Sequence, residues 1–68
     1  MYKPGTYIVT WDDDRGEFHR GPIFDNELDA RAFANRIWTH HDVVEVEIVK
    51  CIYKNKRRHP VTVASAHK

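Results

Sequence analysis

Apolar and polar positions change their period twice along this chain, and each change marks an element. Residues 6–11, TYIVTW, alternate and are rich in β-branched and aromatic side chains, which predicts a strand with Tyr7, Val9 and Trp11 on one face and Ile8 and Thr10 on the other. DDDRG at 12–16 predicts a turn, because Asp favours turn starts and Gly16 supplies a position with φ > 0. EFHRG at 17–21 returns as a short second strand with Phe18 on its inner face, and Gly21-Pro22 is expected to end it. Residues 6–21 thus read as a hairpin.

The period then becomes helical. Ala30, Phe33, Ala34 and Ile37 recur at i, i+3, i+4 and i+7, predicting an amphipathic helix over 27–40 with Trp38 at the border of its buried face. Asn26 is the expected N-cap, Asp29 completes an imperfect capping box, and His40 and His41 close the helix, where positive charge suits the dipole. A long strand follows over 42–54, with Val44, Val46 and Ile48 alternating against Glu45 and Glu47. After Ile48 the phase is ambiguous: either a bulge resets it or both faces are covered. VTVAS at 61–65 is a fourth, weak edge strand returning on the third, or a tail.

The predicted fold class is α+β: a ββαβ(β) mini-domain with one helix packed on one face of a mostly antiparallel three- or four-stranded sheet. Residues 1–54 form the single domain, and 55–68 supply a basic turn with a short edge strand or tail. The strand-turn-strand-helix opening is similar in layout to the antitoxin partner of some bacterial toxin–antitoxin pairs. The likeness covers about forty residues, rests on element order alone, lacks the proline-glycine turn of that family, and transfers no residue roles.

Sixty-eight residues bound this picture. A domain of that size buries only about 60% of the surface its unfolded chain exposes, and such chains lean on disulfides, metals or a partner subunit. Cys51 is the only cysteine, so no disulfide forms within the monomer, and a lone thiol suits a reducing compartment. No apolar run reaches the roughly 18 residues that span a bilayer, and no apolar stretch follows Met-Tyr-Lys-Pro-Gly as a leader would require. The expectation is a soluble, cytoplasmic protein that gains stability as a homodimer through its uncovered sheet face or a strand edge, with no membrane or small-molecule partner.

Charge divides the chain more sharply than its net +1 suggests. Residues 1–49 hold ten acids against five bases, a balance of −5, while residues 50–68 hold six bases and no acid. The segment CIYKNKRRHP at 51–60 carries Lys54, Lys56, Arg57 and Arg58, with Lys50 upstream and Tyr53 among them. Lys and Arg neutralise phosphates and an aromatic stacks on a base, so nucleic-acid binding is one use of this stretch. Contact with the acidic body of a second unit is another, and simple solubilisation of a strand end is the third.

No chemistry of bond-making emerges. His40 and His41 point about 100° apart on a helix, and His19, His59 and His67 lack zinc-ligand spacing, so neither a metal nor any other cofactor is expected. DDDRGE lacks the length and terminal acid of a calcium loop. Cys51 reads as a small buried hydrophobe, and His19 beside Arg20 has no carboxylate partner legible in the sequence. The chain is therefore read as not an enzyme. Its aromatics exceed what one helix on a small sheet can hide, which makes Trp11 and Trp38 candidate exposed anchors. The function expected is a non-catalytic protein-interaction module, a regulator or inhibitor of the phage or mobile-element accessory kind; the alternative is a nucleic-acid-binding accessory protein using residues 50–58.

Overall fold

The computed structural model describes residues 5–68. Residues 1–4, which open the stretch read for a leader, lie outside the described part. The period-two segments become β1 (Tyr7–Asp13), β2 (Phe18–Phe24), β3 (Val43–Lys54) and β4 (Arg57–His67), and the helical segment becomes α1 (Glu27–Trp38). The strands pair antiparallel in the order β2-β1-β3-β4. This is the predicted α+β mini-domain, one helix on one face of a four-stranded sheet. The last strand is eleven residues long and pairs along nearly the whole of β3, so the expected 61–65 strand was too short.

The helix forms where its periodicity placed it. Asn26 takes an extended conformation and its Oδ1 accepts from the Asp29 backbone N–H at 2.8 Å, while its Nδ2 donates to Asp29 Oδ2 at 3.0 Å. Ala30 and Ala34 are buried, and their small side chains bring the helix close to Val9, Val46 and Ile48 of the sheet. Phe33, Ile37 and Trp38 flank that contact. The helix ends at Trp38, two residues before the expected end, because Thr39 caps it through Oγ1 to the Arg36 carbonyl at 2.7 Å. His40 and His41 lie exposed in the turn that follows.

Two expectations about side-chain facing are corrected. Gly21-Pro22 does not end β2: both residues sit opposite Val9 in a bulge, and the strand resumes with Ile23 against Ile8 and Phe24 against Tyr7. An edge strand tolerates proline at such a bulge. A Cβ on Gly21 would lie 2.7 Å from Phe33 Cε2 and 3.2 Å from the Val9 carbonyl, so the bulge needs glycine for close approach of the helix. The other correction is Phe18, which is 61% exposed. It pairs across Asp12, on the sheet face away from the helix.

The ambiguity after Ile48 resolves on the neighbouring strand. Ile48 pairs with Ala64 and Val49 with Thr62, so Val63 is the extra residue and β3 keeps its alternation. A second irregularity pairs Asp12 with Glu45 and Asp13 with Val43, so Val43 is buried and Val44 only half-buried. Val9 is the only large side chain fully buried among the described residues. No helix among them is long and apolar enough to cross a membrane.

Candidate nucleic-acid interface on a β-hairpin arm

β3 and β4 outrun the rest of the sheet. β1 pairs with β3 up to Lys50, and the seam closes with Cys51 N–H donating to the Thr6 carbonyl at 2.9 Å and Gly5 N–H donating to the Cys51 carbonyl at 2.8 Å. From Ile52 onward the only neighbour of β3 among the described residues is β4. Residues 52–59 thus form a two-stranded arm reaching about 13 Å past the sheet, at roughly 3.3 Å per residue. The arm contributes to a molecule 39 Å long and only 22 × 18 Å across.

The tip is a two-residue turn with φ of 52° at Asn55 and 61° at Lys56. Two consecutive left-handed residues define a type I′ turn, whose twist matches that of the flanking strands. Asn accepts this conformation readily, whereas Lys pays about 1–2 kcal/mol for it. Lys54 pairs with Arg57 and Tyr53 with Arg58 across the arm. Like charges placed directly opposite are destabilising, so the tip departs from good hairpin chemistry at both Lys56 and the Lys54–Arg57 pair.

Every residue from Tyr53 to Pro60 is exposed. The ion pairs among the described residues are His19–Asp13 and Arg31–Glu27, so Lys54, Lys56, Arg57 and Arg58 have no acid partner there. Alternation divides the arm: Tyr53 and Arg58 lie on the face away from the helix, and Lys54 and Arg57 on the opposite side. Arg58 lines a shallow cavity of about 230 Å³ with Ile8, Val49, Cys51 and Pro60. Lys50 is drawn back to the body, its Nζ 5.6 Å from the centroid of the Tyr7 ring.

The structure does not bring Trp11 or Trp38 to the arm, nor does it expose either as an anchor. Both are half-buried against the core. Trp11 stacks on His19 at 5.5 Å and tilts against Phe33 at 6.0 Å. Trp38 carries Lys68 Nζ 4.9 Å above its ring and lines a groove beside Ala64 and Ala66 of β4. Among the described residues, the exposed aromatics are Phe18 and Tyr53.

One constellation escaped the sequence. His19 Nε2 contacts Asp13 Oδ2 at 2.8 Å, and Asp13 Oδ1 accepts the Arg15 and Glu17 backbone N–H groups at 2.8 and 2.9 Å. The hydrogen bond to His19, followed by those to the Glu17 and Arg15 amides, holds the Asp13 carboxyl below its usual range. Glu17 completes a trio whose ligand atoms lie within 4.8 Å of one another. Both Asp13 oxygens already serve the turn and the imidazole, which accounts for the trio as turn closure. The available signal was an Asp at the start of a Gly-containing turn, but the side chain that returns to it depends on the β1–β2 register.

Compared with models of protein families, with curated proteins and with solved structures, the chain has no match.

Proposed function

We propose that this protein binds nucleic acid through its basic arm, gripping phosphates without reading base sequence. The observation that carries the reading is a protruding two-stranded ribbon whose Lys54, Lys56, Arg57 and Arg58 have no acid partner among the described residues and whose tip sacrifices hairpin stability to keep them. A two-stranded ribbon fits the major groove of duplex DNA. Lys and Arg there displace counterions, and Tyr53, 54% exposed, offers a ring for an unpaired base. Segments that break local rules mark places shaped by something other than folding. The acidic body limits contact to the arm, because the remaining surface repels a duplex.

The test is fluorescence anisotropy with labelled duplex DNA and single-stranded RNA over a salt series. Binding is expected to weaken with a log–log slope of about −0.9 per phosphate neutralised on duplex DNA. The variant Lys54→Ala/Lys56→Gly/Arg57→Ala should lose binding while keeping its fold by circular dichroism. Binding that persists unchanged in this variant refutes the role of the arm.

A second reading, a protein-interaction module that self-associates and acts as a regulator or inhibitor, is favoured by a different observation. Phe18, Ile23 and Tyr53 are exposed on the sheet face that the helix leaves uncovered.

A further inference from the structure

We infer that a second copy of this chain covers the open face of the sheet, stacked face to face with its strands reversed, so that the basic arm of each copy lies over the acidic end of the other. The inference rests on the second reading above, and it places Tyr53 and Arg58 in the dimer contact, leaving Lys54, Lys56 and Arg57 as the residues of the nucleic-acid reading.

The open face is built in rows. Across the centre run Ile23, Ile8, Val49 and Thr62, one from each strand. Towards the arm come Cys51 with Pro60, then Tyr53 with Arg58. Towards the other end come Thr10 with Glu47 and Ser65, then Asp12 with Phe18, Glu45 and, on β4, His67. Thr10, Asp12, Phe18, Glu45 and Glu47 line one small depression. The face is therefore apolar in the middle, basic at one end and acidic at the other, where Arg20 on β2 and the imidazole of His67 on β4 are the basic side chains among the described residues.

The spacing makes this polarity self-complementary. Glu45 and Tyr53 each stand four residues from Val49 along β3, about 13 Å in either direction. A two-fold axis through the Val49 row and perpendicular to the strands lays the Tyr53–Arg58 row of one copy over the Asp12–Glu45 row of its mate. Such an isologous contact satisfies both ends at once. Complementary potentials fix register and orientation, and the reverse stacking would set acid on acid. The face spans at most 39 × 22 Å, comparable with the roughly 800 Å² per partner of a standard specific interface. Three of the five exposed large hydrophobics among the described residues lie on it. Lys54 and Arg57 point away from this contact, so the dimer leaves them free.

Analytical ultracentrifugation of the full chain at low and high salt tests the arrangement. The expected result is a dimer that loosens with salt. Arg58→Glu alone and Glu45→Arg alone should each weaken association by about tenfold or more, as disrupting an interfacial charge pair does, and the double variant should restore it. Ile23→Asp, at a half-exposed position, should give a monomer with unchanged circular dichroism. A monomer at every salt concentration, a dimer indifferent to Ile23→Asp, or a charge swap that fails to restore association overturns the proposal. The two proposals separate cleanly: the Ile23→Asp monomer keeps Lys54, Lys56 and Arg57 and should still bind nucleic acid, while the Lys54/Lys56/Arg57 variant should still dimerise.

Discussion

Lys54 and Arg57 face each other across the arm on either side of the Asn55–Lys56 turn, two cations paired where a stable hairpin places opposite charges. On the proposed nucleic-acid reading, folding and binding pull in opposite directions at this position. Lys54→Glu should create an attractive cross-strand pair and steady the arm by about 0.2–1 kcal/mol, while weakening nucleic-acid binding and flattening its salt dependence. Amide exchange of residues 52–59, measured beside anisotropy titrations, checks both halves. A variant that changes the two in the same direction contradicts the proposed division of labour.

Lys56→Gly separates backbone strain from charge at the same tip. Glycine removes the left-handed penalty of about 1–2 kcal/mol and gives back about 0.5–1 kcal/mol in unfolded-chain entropy. The expected outcome is a net gain of about 0.5–1 kcal/mol, seen as slower amide exchange in the arm. Faster exchange would show that Lys56 makes a contact its geometry does not reveal.

Gly21→Ala should be among the most damaging small substitutions. Its methyl would sit 2.7 Å from Phe33 Cε2 and 3.2 Å from a backbone carbonyl, so the helix must lift from the bulge. Overpacking of this kind costs about 1–3 kcal/mol. Thermal melts should show the loss, and Phe33→Leu in the same chain should recover part of it. A double variant no more stable than Gly21→Ala would place the cost elsewhere.

Asp13 gives the protein a defined acid sensitivity. Its carboxyl titrates below the ordinary 3.8, with His19 as the first cause. A depressed folded-state value adds stability that is complete above the unfolded-state value and is lost as the pH falls through the folded one. The loss belongs to the region below about pH 4. Asp13→Asn, which keeps an Oδ1 acceptor for the turn amides, should flatten that limb of the stability profile. An unchanged acid limb would remove Asp13 as its source.

Asn26→Ala should cost about 1 kcal/mol, the usual value of a helix cap, and Asn26→Asp should restore it. Chemical denaturation resolves the difference.

The helix and its buried face were legible because Ala30, Phe33, Ala34 and Ile37 repeat with a period no strand can satisfy. The β1–β2 hairpin was legible from alternation and from Gly16, which does adopt φ of 82°. The phase of β2 was not, because a bulge at Gly21-Pro22 changes which residues face the helix, and a bulge leaves no mark on hydrophobic periodicity. The arm was half legible. Its charges stood out, yet Asn55-Lys56 is a poor turn by composition, so the segment read as a break in the third strand and its two-stranded ribbon went unseen. Trp11 and Trp38, candidate anchors with core packing as the alternative reading, are half-buried against neighbours that only the register supplies, His19 for one and Lys68 for the other.

The strand order β2-β1-β3-β4 also dictates how the chain must find its structure. Both outer pairings join strands adjacent in sequence and close only short loops, which form within microseconds. The central β1–β3 seam brings Val9 to Ile48 with β2 and the helix intervening, and its closure carries the main entropic cost. The folding barrier therefore belongs to that seam and to Ala30 and Ala34 docked upon it. Substitutions there should slow folding. The arm, as the closing end of the local β3–β4 hairpin, belongs to the part of the chain that can pair ahead of that seam.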